Sequence, residues 1–126
     1  MGRYAYFNTG FEYKFAFAIQ SSEDIQQFGG QDVSDPNNPE EAAHSWTTDD
    51  AEYIRAELRD YEEHYGIKYP KVEDFPNTEK GTWAIYSAMG QLNKNSESAT
   101  YYTALLGLLI LHQLQYEPNL HVSYET

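Results

Sequence analysis

Residues Ser98 to Glu117 read SATYYTALLGLLILHQLQYE, and the reading of this stretch decides the fold. From Ala104 to Leu111 every residue except Gly107 is aliphatic, and apolar side chains fall on all sides of a helical wheel. A helix that is apolar all round is enclosed either by its own protein or by a membrane. The uninterrupted run is eight residues and ends at His112-Gln113, far short of the roughly 18–20 that span a bilayer. The expectation is a buried core helix over 98–117, with the other elements clothing it.

Working outward, Leu120, Val122 and Tyr124 alternate with His121, Ser123 and Glu125, which predicts a short terminal strand. At the other end Phe11, Tyr13, Phe15, Phe17 and Ile19 keep the same period of two. Asn8-Thr9-Gly10 separates them from a shorter run, Arg3 to Phe7, so a hairpin is expected with its aromatic face on the helices. The terminal strand should pair with that hairpin.

Between the ends, Ser21-Ser22-Glu23-Asp24 starts a short helix that Gly29-Gly30 stop. Residues 31–47 are polar, carry Pro36 and Pro39, and read as a long loop. Thr47 to Asp50 cap a helix running to Tyr65, with Ala51, Ile54, Leu58, Tyr61 and Tyr65 as its apolar stripe and Gly66 as its stop. A third helix fits Glu79 to Leu92, with Trp83, Tyr86 and Met89 on one side. The fold expected is α+β, a single domain over 1–126. A small antiparallel sheet from both termini (N-terminal hairpin plus C-terminal strand) packs on three longer helices and one short one, with the 98–117 helix central.

Composition narrows function mostly by exclusion. The chain has no cysteine, so disulfides and thiol chemistry are excluded. No charged start followed by an aliphatic stretch marks a signal peptide, and an intracellular, cytoplasmic protein away from membranes is expected. Of the 20 aromatics 12 are Tyr, a residue suited to half-buried walls and interfaces. The net charge of −12 is concentrated: residues 21–66 carry 13 acidic and two basic side chains. That polarity opposes direct binding of nucleic acid.

No sequence motif supplies catalysis or a cofactor. Gly-x-Ser-x-Gly, the phosphate-loop pattern and the dinucleotide pattern are all missing. Asp32, Asp35, Asn37 and Asn38 do not follow the calcium-loop register. Asp60 and His64, with Glu57, share a helix face but lack a metal-binding spacing, so a solvated pair near a helix end is the plainer reading. His112 should be buried and hydrogen-bonded, while His44 and His121 should be exposed.

Two constellations remain. Arg3, Lys14, Arg55 and Arg59 stand among aromatic residues and could hold an anionic, nucleotide-like ligand, although Arg55 and Arg59 are expected to pair with Glu52, Glu62 and Glu63 on their own helix. Asp49, Asp50, Glu52, Glu57, Asp60, Glu62 and Glu63 could form an acidic interaction surface that imitates nucleic-acid charge. The leading expectation is a non-enzymatic, acidic, tyrosine-rich interaction protein that binds another protein or itself, as a homo-oligomer. A pocket for a small anion comes second, and an enzyme using His112 or His64 last.

Overall fold

A computed structural model of the protein describes the backbone of residues 3–8, 15–19, 23–37, 41–94 and 99–125, with side chains for 25–37, 42–94 and 99–124. Among these residues the chain forms β1 (Arg3–Asn8), β2 (Phe15–Ile19), α1 (Glu23–Gln26), β3 (Gln31–Asp32), β4 (Glu41–Thr47), α2 (Ala51–Tyr65), α3 (Glu79–Leu92), α4 (Ala99–Leu114) and β5 (Asn119–Glu125). This is the α+β arrangement expected, with strands drawn from both termini.

The sheet is antiparallel and runs β2-β1-β5-β4-β3. β5 lies inside it, pairing Phe7 with Val122 on one side and His44 with Val122 on the other. Leu120, Val122 and Tyr124 are buried and His121 is exposed, so the period of two in the terminal strand marks its core face. The pairing of β1 with β2 realises the expected hairpin, Phe7 standing opposite Phe15 and Ala5 opposite Phe17. The expected packing of that aromatic face falls on side chains outside the described residues, as do Phe11, Tyr13 and the Asn8-Thr9-Gly10 turn beyond Asn8.

One expectation fails outright. Residues 31–47 are not one long loop: Gln31–Asp32 forms β3 and Glu41–Thr47 forms β4, which pairs with β5 along its whole length. Ala42, His44 and Trp46 alternate with Ala43, Ser45 and Thr47, but alanine, serine and glutamate have weak strand propensity and mask that period. Neighbouring strands supply what propensity lacks. His44, expected in solvent, is therefore buried; its Nε2 bonds the Gly29 carbonyl at 2.6 Å and its ring packs on Trp46, centroids 4.8 Å apart.

α4 carries the core. Twelve of its 16 residues are buried, Tyr101 and then all of Ala104 to Leu114. α2 runs along it with Ile54 and Leu58 buried, and ends at Gly66 in the left-handed conformation (φ 68°). At the start of α2 the Thr47 N–H donates to Asp50 Oδ2 (2.8 Å), as the capping residues imply. In α3 the buried residues are Gly81, Thr82, Ile85 and Met89. Trp83, placed on one side of this helix with Tyr86 and Met89, is 52% exposed, whereas Met89 is buried.

A cationic cleft between α2 and the segment that follows it

The chain turns at Gly66 and folds back beside α2, so that residues 69–73 face Arg55 and Arg59 across a cleft of about 230 Å³. Leu58, Leu108 and Leu111 are in its lining, and so are Tyr69 and Lys71 from the returning segment. Glu62 and Glu73 also border it.

The returning segment is held by polar anchors. The Tyr69 hydroxyl donates to the Leu58 carbonyl at 2.7 Å, fixing the ring against α2. Burial pushes the phenol's pKa upward, so the donor proton stays in place at all ordinary pH. The Asn93 side chain bonds both the N–H and the carbonyl of Lys68, each at 2.8 Å. Farther on, His112 Nε2 (3.0 Å) and the Tyr116 hydroxyl (2.9 Å) both meet the Phe75 carbonyl. Ile67 and Val72 bury their side chains beneath. Few conformers are left to that wall, which lowers the ordering cost of holding a ligand there.

The cations on the cleft are exposed, and among the described residues neither Arg55 nor Arg59 makes an ion pair. The expected pairing with Glu52, Glu62 and Glu63 is therefore absent. For Arg59 the order on the helix counts against pairing, since it precedes Glu62 and Glu63, the weaker orientation for three- and four-residue spacing. Exposed pairs also gain too little to pin two long side chains. Of the four basic residues named from the sequence, Arg55 and Arg59 come together. Lys14 and the side chain of Arg3 lie outside the described residues. Lys71 and Tyr69 were not singled out; the available signal was Tyr69-Pro70-Lys71 three to five residues beyond a helix-ending glycine.

The acidic residues divide. Asp50 serves as a cap, and Glu62 borders the cleft. Asp60, Glu63 and His64 group on the exposed end of α2, with ligand-type atoms within 4.8 Å of one another. His64 Nδ1 donates to the Asp60 backbone carbonyl at 2.9 Å rather than to its carboxylate. Asp49, Glu52 and Glu63 are exposed and Glu57 is half-buried. In the 31–37 stretch, Asp32 and Asp35 each accept a backbone N–H two residues on (both 2.9 Å), so these oxygens are spent on turns.

His112 is fully enclosed and lies on no open cleft wall. Its Nε2 faces the Phe75 carbonyl and its Nδ1 the Gln113 amide at 3.3 Å. Burial lowers its pKa, against a smaller opposing pull from backbone carbonyls, so the neutral ring is the working form.

A separate aromatic cluster lies on α3 and α4. Trp83 and Tyr86 have centroids 5.1 Å apart, as do Tyr101 and Tyr102, and Tyr102 is 37% exposed. No described helix is long and apolar enough to cross a membrane. Comparison with protein-family models, curated proteins and solved structures finds no match to this chain.

Proposed function

We propose that the protein is a non-catalytic binding protein whose site is the cleft beside α2, and that it takes a small organic anion such as a phosphate monoester or nucleotide. The observation carrying this reading is the pair of guanidinium groups that lie beside Lys71 without an ion pair among the described residues, standing over leucines within an otherwise acidic segment. Guanidinium forks suit phosphate and carboxylate oxygens, and the leucines suit an apolar body attached to them. Thermal-shift measurement with AMP, ATP and phenyl phosphate tests it. A ligand at 100 times its dissociation constant stabilises by about 2.7 kcal/mol, and the shift should vanish in Arg55→Glu/Arg59→Glu. No shift with any of the three contradicts the proposal.

A second reading has its own support. The half-exposed Trp83, next to Tyr86 and near the exposed Tyr102, gives α3 and α4 a surface of the type that joins proteins, including copies of one chain. Sedimentation of the wild type against Trp83→Ser separates the readings: self-association lost in the variant favours the aromatic surface, and a strict monomer disfavours it.

A further inference from the structure

Next to the cationic cleft, along the seam of α2 and α4, lies a second hollow of about 290 Å³. It is bordered by Ala51, Leu111 and Leu114, with Thr48 and Gln115 at its rim, and it shares Arg55 and Leu111 with the first. Among the described residues its only charged neighbour is Arg55. The two hollows thus form a bipartite groove, with three cations and the carboxylates of Glu62 and Glu73 at one end and aliphatic side chains at the other. From Thr48 to Glu62 the groove runs about 20 Å at the helical rise per residue. Each hollow is smaller than the ~300–1,000 Å³ usual for a small-molecule site, and the two together fall within it.

We infer that the ligand is a single-chain anionic amphiphile, its phosphate or carboxylate head on Arg55, Arg59 and Lys71 and its hydrocarbon tail along Ala51, Leu111 and Leu114. This rests on the cleft being the binding site, and it names the class of ligand. Charge complementarity fixes the direction of the chain. Among the described residues a nucleobase would find no aromatic plane and only two polar side chains in the second hollow, Thr48 and Gln115, besides Arg55. A methylene chain needs neither. The Arg55 stem between the two hollows can lie along that chain while its guanidinium stays with the head.

The test is a titration of alkyl phosphates (methyl, butyl, hexyl, octyl) below the concentrations at which they aggregate, followed by calorimetry. Affinity should rise about fourfold for each methylene enclosed, then level off where the groove ends. Ala51→Phe fills the second hollow: octyl phosphate should fall to the affinity of the shorter homologues, with methyl phosphate unchanged as evidence that fold and cations are intact. Octyltrimethylammonium should not bind. Affinity independent of chain length overturns the amphiphile and leaves the cleft as an anion site. Full chain-length dependence in Ala51→Phe overturns the placement of the tail. Failure of every phosphate to bind overturns the cleft itself.

Discussion

The ring of Phe28 lies against the bare backbone of Gly107: a Cβ at position 107 would come within 2.8 Å of Phe28 Cδ1 and closer still to the ring's far edge. Phe28 is fully buried and also meets Tyr61, centroids 6.4 Å apart, so the contact ties the α1 turn to both α4 and α2. Gly107 is thereby explained: it interrupts the aliphatic run where another side chain needs the space. An alanine there gains about 1 kcal/mol of helix propensity and loses about 1–3 kcal/mol to overpacking. Gly107→Ala should lower stability in urea, and the same change in a Phe28→Leu background should be neutral or stabilising. Equal effects in both backgrounds would show that the ring is not what excludes the methyl group.

Asn93 completes the end of α3 by imitating a strand partner for Lys68. Its amide nitrogen also donates to the Met89 carbonyl at 2.8 Å, and the residue is only 6% exposed. Asn93→Leu leaves Lys68 backbone groups without their partner and should cost about 2–3 kcal/mol. Amide hydrogen exchange at Lys68 reports it locally, and protection retained in the variant would contradict the role.

The pH dependence of stability follows from His112. Its pKa in the folded protein is lowered, whereas the unfolded chain binds a proton near the ordinary value of about 6.5. The contribution is therefore complete above that pH and is lost as pH falls through the window below it, towards the folded value. The urea midpoint should drop between pH 7.5 and 5.5 in the wild type. His112→Gln, which keeps a donor for the Phe75 carbonyl, should show a smaller drop. Parallel pH profiles would refute the assignment.

The greasy run at 104–111 and the alternation at 120–124 were legible because a single periodicity, or none, leaves one way to bury them. β4 was hidden because its two alanines, serine and glutamate follow the sheet rather than their own preference. On α3 the grouping of Trp83 and Tyr86 with Met89 did not say which side is buried; Ile85 and Met89 fill the core and Trp83 stays half-exposed. In the cleft, Arg55 and Arg59 were visible as a pair one turn apart. Lys71 and Tyr69 were not, because only the turn at Gly66 and the anchors beyond it bring them opposite.

Tyr69→Phe removes the hydroxyl bond to Leu58 while leaving every charge in the cleft. It should cost about 1 kcal/mol of stability, and phenyl phosphate should bind more weakly because the wall is less fixed. Calorimetry reads the second effect. Unchanged affinity would mean that the anchoring of the segment does not matter to binding.

The central claim is that Arg55 and Arg59 hold an anion. Side-chain Nε–Hε correlations of the two arginines, followed by NMR as phenyl phosphate is added, address it at the atoms concerned. Both resonances should shift along one saturable curve while the Trp83 indole resonance stays in place. Arginine resonances that do not move, with a shift confined to Trp83, would contradict the claim and return the function to the aromatic surface.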